Sequence, residues 1–245
     1  MAIILGAGHI FNPSHFFREA VHLSIDLKDV YVDPHAMWLT EEHAKSNAGI
    51  ADARGSTGWG IGAAAAEKVR REPGTRLIGD CKEMWAGLGD RLTDIPTLLD
   101  WMPGPGLFEG SQGAMLSLDH GYYPYCTPKN VTVTAMCAEL GISHKRIRRV
   151  IGVTRLVMMR VPGPSGPTGG MEIGFEEVEA RTGLRIPDHK RIQGDTARWR
   201  AGSGVSTRAE EERLFDISMT ELRKSHALNG YDVLVVTFVD YHRAG

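Results

Sequence analysis

Short apolar runs alternate with helical segments along the chain, and this alternation limits the possible folds more than any other feature. Ala2–Leu5, Val30–Val32, Arg76–Ile78, Leu107–Phe108, Val150–Val161 and Asp232–Val239 read as strands. Between them, Asn12–Leu23, Ala63–Arg71, Lys82–Leu92, Pro96–Trp101, Asn130–Leu140 and Thr207–Asn229 read as helices. Asn12 is a capping residue and Pro13 suits the first helical position. Four consecutive alanines favour the helix at Ala63. Thr207 and Glu210 have capping-box spacing, while Gly141 and Gly230 stand where helices stop. Strand–helix alternation predicts an α/β fold with a mostly parallel central sheet flanked by helices, and Asp232–Val239 as a buried strand within it. At 245 residues, 1–245 reads as a single domain.

Charge and composition exclude several classes. Lys+Arg is 28 against Asp+Glu 30, a net charge of −2, so no whole-chain basic footprint marks a nucleic-acid partner. The longest apolar run, Val233–Val239, is far short of the roughly 20 residues that span a membrane. No signal peptide opens the chain, and three widely spaced cysteines, Cys81, Cys126 and Cys137, fit a reducing cytoplasm.

The strongest local signal is Arg54–Glu72, RGSTGWGIGAAAAEKVRRE. A Gly/Ser/Thr loop runs into an alanine-rich helix, where backbone N–H groups and the positive helix end favour a phosphate. Ser56 and Thr57 add hydroxyl donors, but no Gly-Lys-Ser/Thr follows, so this is not a Walker loop. Ile3–His9 imitates a dinucleotide fingerprint and fails it, because Phe11 stands where the third glycine belongs. Phe108–Lys129 is a polar, aromatic loop in which Gln112 offers an amide to a base, and Asp119 with His120 forms a candidate acid/base pair. Lys145, Arg146, Arg148 and Arg149 read as a solvated basic face. Glu41, Glu42 and His43 read as a helix surface without metal-ligand spacing, and no metal site is expected.

RGSTGWGIGAAAAEKVRR, followed by LFEGSQGAMLSLDHGYYPYCTPKN, resembles the adenylosuccinate synthetase family. That family carries GTTG-x-GIGPA…DKV-x-R and then FEGAQG…LD-x-x-HGTYPYVTSSN. RVPGPSGPT at Arg160, RLFD at Arg213 and TFVD at Thr237 extend the likeness along the chain. The resemblance implies the family's α/β core and a carbon–nitrogen ligase. In such a ligase GTP, with Mg²⁺, phosphorylates the 6-oxygen of a purine nucleoside monophosphate, and an amine then displaces the phosphate. A viral branch acts on deoxyguanylate. By position, Ser56, Thr57 and Thr127 would bind the 5′-phosphate and Gln112 the purine. Arg71 would reach the nucleotide of a neighbouring subunit, implying a homodimer. Val161 would lie against the ribose, Arg208 would survive from the amino-acid loop, and Asp240 from guanine recognition.

The departures shape the expectation. The family's GDEGKGK phosphate loop and GHNAGHT segment have no match here; Met1–Pro13 aligns instead with a later strand–turn–helix. Phe238 replaces lysine in the guanine motif, and Ala209, Glu210 and Glu211 replace arginines that would clamp an aspartate. Carboxylates would repel that substrate. The expected protein is therefore a cytoplasmic, ligase-type purine nucleotide binder. It would use GTP or ATP with Mg²⁺ and take its phosphate loop from a separate subunit. A non-catalytic nucleotide-binding or regulatory protein on the same scaffold is the alternative.

Overall fold

A computed structural model describes residues 2–46, 58–183, 185–186 and 211–239. They fall into two compact units, one comprising 2–46, 58–112 and 127–148, the other 113–126, 149–183, 185–186 and 211–239.

The first unit is built on short parallel strands. β1 (Ile3–Leu5) pairs with β3 (Val30–Val32), and β2 (Ile10–Phe11) with β4 (Met37–Trp38). Helix α1 (Pro13–His22) connects β2 to the following strand, as its sequence dictates: the Asn12 side chain accepts the N–H groups of Ser14 and His15, with proline at the first turn. Helices α2 (Glu41–Ser46), α3 (Ile61–Arg70), α4 (Lys82–Leu88), α5 (Ile95–Trp101) and α6 (Val133–Leu140) complete the unit. Its core joins Val30, Val32 and Ala36 to Ile78, Met84, Leu88 and Leu92. Buried Asp33 follows β3. One carboxylate oxygen accepts the His35 N–H at 2.8 Å and the other accepts the first N–H of α5, from Ile95, at 3.2 Å.

The second unit holds β5 (Ile151–Arg155) and β6 (Val157–Arg160), then β7 (Glu172–Ile173), α7 (Phe175–Thr182), β8 (Arg213–Asp216), α8 (Met219–Asn229) and β9 (Val233–Thr237). β5 and β9 form a parallel pair; β8 lies between β6 and β7 in an antiparallel sheet. Leu214, Ile173, Phe175, Val178 and Ile186 form its core. The fold is α/β with mostly parallel pairing, as the alternation predicts, and the described strands pair in four small sheets.

Several sequence expectations give way to tertiary structure. Leu77 makes one bridge to Met37 where a strand was expected, because Asp80 accepts the Leu77 N–H and curls the chain into a 3₁₀ turn. Leu107–Phe108 is not a strand: Pro103 and Pro105 remove donors, and no ladder forms. The helix from Lys82 stops at Leu88, where Gly89 turns to φ +54°. The helix expected from Thr207 starts at Met219, capped by Ser218, because Arg213–Asp216 is drawn into the antiparallel sheet. Thr207 and Glu210 lie outside the described residues. The strand expected to be buried, β9, has Val233 to Val236 each 39–43% exposed, because it pairs only with β5 among the described residues.

Candidate functional site

Helix α3 carries the loop-to-helix motif, and three contacts seat it in the first unit. At its start, Gly60 adopts φ +84°, and a Cβ there would stand 2.4 Å from the His43 carbonyl carbon. Only glycine meets both conditions. In the middle, the His43 ring is 2.8 Å from the Glu67 carboxylate, with its other nitrogen accepting the Thr40 N–H at 3.0 Å. His43 is thus buried and not the surface residue expected, because α2 packs against α3. Towards its end, the Lys68 ammonium donates to the carbonyls of Ala7 (2.8 Å) and His35 (2.6 Å), at the C-terminal ends of β1 and β3. Burial lowers the Lys68 pKa, opposed by the charges of Asp33 and Glu139. Helix α3 has no side-chain cap at its N-terminus, in contrast with α1.

Arg71 ends the helix at φ +54°, its N–H bonded to the carbonyls of Glu67 and Lys68, and its side chain is exposed. Gln112 likewise stands at φ +72° with its side chain exposed. Left-handed backbone at non-glycine residues carries strain and clusters where function requires it. Thr127 is half-buried in the same unit. Ser56 and Thr57, Arg208, and Asp240 lie outside the described residues.

In the same unit, the His9 ring donates to the Gly6 carbonyl at 3.1 Å, and burial pushes its pKa below the usual histidine range. The Gly6 bond and Glu139 oppose that shift, while Lys129 adds to it. With the folded pKa below the unfolded value of about 6.5, stability holds above that value and falls as pH drops through it. The melting temperature is expected to decline between pH 7 and pH 5, and His9→Asn to flatten part of that decline. An unchanged slope in the variant would exclude His9 as the source.

The second unit organises the rest of the polar loop. Arg160 holds it: one guanidinium N–H donates to the Tyr125 carbonyl at 2.8 Å, another to Pro167 at 2.8 Å. Burial lowers the Arg160 pKa, and the Arg213 charge adds to this. Tyr122 donates to Glu221 at 2.7 Å, and burial with that carboxylate pushes its phenol up to about 12. Arg213 makes two bonds to Glu172, at 2.7 and 2.6 Å, and reaches the Gly166 carbonyl at 3.0 Å. The glycine-rich segment 161–171 between β6 and β7 is thereby an ordered loop. Val161 begins it, its carbonyl accepting the Ser165 hydroxyl at 2.6 Å. Asp119 and His120 are exposed. Among the described residues no group of three His, Cys, Asp or Glu could hold a metal.

His43, Lys68, Arg160 and Glu221 are contacts the sequence reading did not assign. Lys68 and Arg160 stand inside quoted motifs, EKVRR and RVPGPSGPT, and that position is the available signal. His43 and Glu221 lie outside both, and only packing brings them in.

The family model for adenylosuccinate synthetase matches residues 80–244. The chain belongs to the adenylosuccinate synthetase family. It is 34% identical over 174 residues to the N6-succino-2-amino-2′-deoxyadenylate synthase of Vibrio phage phiVC8, covering 67% of this chain and 50% of that protein. It is 32% identical over 243 residues to the adenylosuccinate synthetase of Pyrococcus horikoshii, covering 97% and 65%. In structure it resembles the cyanophage S-2L succinoaminodeoxyadenylate synthetase bound to dGMP and dATP, with TM-score 0.78 and 27% identity, covering 99% of this chain and 67% of that one. The chain thus spans about half to two thirds of the curated relatives it matches. Among the described residues, no helix is long and apolar enough to cross a membrane.

Proposed function

We propose that this chain binds a purine nucleoside 5′-monophosphate as part of an adenylosuccinate-synthetase-type carbon–nitrogen ligase. The observation that carries the reading is the pair Arg71 and Gln112. Both are non-glycine residues held at left-handed backbone, and both stand where the family motifs assign nucleotide contacts. Arg71 supplies a guanidinium to a phosphate, and Gln112 both donates and accepts at a purine edge. Thr127 and, outside the described residues, Ser56 and Thr57 supply hydroxyls to the 5′-phosphate. Val161 lies against the ribose, Arg208 belongs to the amino-acid loop, and Asp240 remains of guanine recognition.

In this reading the triphosphate's terminal phosphoryl group passes to the purine 6-oxygen, leaving the diphosphate, and an amine then displaces that phosphate from carbon 6. Bound Mg²⁺ would supply positive charge against the transferring phosphoryl group. No acid or base shielded from water is assigned among the described residues. The triphosphate is ATP or GTP. A homodimer follows from Arg71 acting on the neighbouring subunit's nucleotide, and three free cysteines fit the cytoplasm.

The test is a thermal-shift panel of dGMP, GMP, IMP and AMP with their deoxy forms. Deoxyguanylate heads it because the viral synthetase was solved with dGMP and dATP. A hundredfold excess over Kd is expected to raise the melting temperature by about 5–10 °C. Thr57→Val with Thr127→Val is expected to abolish the shift. No shift with any monophosphate would overturn the reading. Binding without turnover in the presence of triphosphate and Mg²⁺ would assign the chain a regulatory role.

A further inference from the structure

Within the first unit, the segment 141–146 runs beside helix α5 and is tied to it at both ends. At the start of α5, Gly141 packs so closely that a Cβ there would stand 2.4 Å from Pro96 Cγ. At its end, the Arg146 guanidinium donates to the Leu99 carbonyl at 2.8 Å, one of the acceptors that a helix C-terminus leaves unpaired. Between these ties lies a cleft of about 410 Å³, with Thr97 and Asp100 on one wall and Ser143 and Arg146 on the other. The Ser143 side chain accepts the Lys145 N–H at 3.3 Å and starts a 3₁₀ turn over His144–Arg146. Ile147 is half-buried and anchors the segment, while His144, Lys145, Arg146 and Arg148 are exposed around it. Among the described residues none of these four forms an ion pair with a carboxylate. Trp101 ends α5, two positions beyond the carbonyl that Arg146 holds, and it is 82% exposed.

We propose that this face of the first unit binds single-stranded nucleic acid, with a base stacked on Trp101 and backbone phosphates on Lys145, Arg146 and Arg148. The net charge of −2 belongs to the whole chain, whereas these cations form a local excess. The chemistry of the face selects this occupant. An exposed indole stacks on any base, but only on one that has left its duplex. Ammonium and guanidinium groups following one another along a turn suit a line of phosphates. Asp100 in the cleft repels an acidic peptide, yet it accepts a hydrogen bond from the exocyclic amino group of a base. Oligocytidylate therefore binds more tightly than oligothymidylate, which carries no such group. The proposal uses neither Arg71 nor Gln112 and stands apart from the nucleotide site above.

The experiment titrates the full chain into a 3′-labelled oligodeoxycytidylate of about 12 nucleotides and follows fluorescence anisotropy. The 5′ end is a hydroxyl, so the probe offers no terminal phosphate to the nucleotide site. Affinity is expected to fall roughly tenfold between about 50 and about 200 mM salt, because three cations on a single strand give a log–log slope of about −2. Trp101→Ala is expected to weaken binding roughly tenfold with that slope unchanged. Lys145→Gln with Arg148→Gln is expected to bring the slope to about −0.7. All three side chains are exposed, so the melting temperature of the free chain should hold in both variants. Asp100→Ala is expected to erase the preference for cytidylate over thymidylate. No saturable binding at about 50 mM salt overturns the proposal. A duplex bound as tightly as the single strand, with Trp101→Ala silent, overturns it in favour of charge attraction alone. Polyglutamate that displaces the probe at equal concentration overturns it in favour of an acidic protein.

Discussion

Gly60→Ala is expected to destabilise the protein by several kcal/mol, while Gly74→Ala costs markedly less. Both glycines have positive φ, +84° at Gly60 and +90° at Gly74. Left-handed backbone costs a residue with a Cβ about 1–2 kcal/mol, and this applies to both substitutions. They differ in what the new methyl meets. At Gly74 nothing lies within 4 Å, whereas at Gly60 the methyl would press on the His43 carbonyl carbon at 2.4 Å and the Ala44 nitrogen at 2.5 Å. Those are backbone atoms of α2, which cannot rotate aside as a side chain would. Overpacking adds about 1–3 kcal/mol. The displacement would also loosen the His43–Glu67 bond that ties α2 to α3. Denaturant unfolding of both variants measures the difference. Equal losses at the two positions would show that α2 does not hold the start of α3.

Arg71→Gly is expected to weaken nucleotide binding by roughly ten- to a hundredfold while leaving stability unchanged or slightly raised. Removing a charge-assisted hydrogen bond costs about 1.5–3 kcal/mol of affinity, and each 1.4 kcal/mol is about tenfold. Glycine at this left-handed helix end relieves about 1–2 kcal/mol of strain. Its added chain entropy takes back about 0.5–1 kcal/mol. The same reasoning covers Gln112→Gly, at φ +72°. Ser24→Gly is the control: Ser24 has φ +55° and no proposed ligand role, so it should gain the same relief without losing affinity. Melting curves with and without nucleotide give both quantities. A lowered melting temperature with unchanged affinity for Arg71→Gly would remove Arg71 from the site and mark the residue as structural.

The helices with strong end signals were legible. α1 runs within a residue of its expected bounds because Asn12 and Pro13 act locally, through bonds to the next two N–H groups. α6 ends at Gly141 and α8 at Gly230, both in the left-handed conformation their glycines announce. The segment Arg213–Asp216 was not legible. Nothing within four residues of RLFD separates a helix start from a strand; pairing with Val157–Arg160 does. The ligand loop divided in the same way. Its motifs were visible as residue order, but the Arg160 clamp on Tyr125 spans 35 positions and the Tyr122–Glu221 bond spans 99. His43 was misread because one turn of helix with two neighbouring glutamates looks like a solvated surface.

By itself the sequence determined the α/β class, the family, and the positions of most helix ends. Each of these depends on interactions within a few residues, or on residue order alone. Tertiary structure decided which polar residues became partners and which apolar strand is half-exposed among the described residues. Burial of His43, desolvation of Lys68 and Arg160, and the exposure of β9 depend on what packs from distant parts of the chain. An apolar run such as VLVVT states that a strand should be covered; only the arrangement of its neighbours shows whether it is.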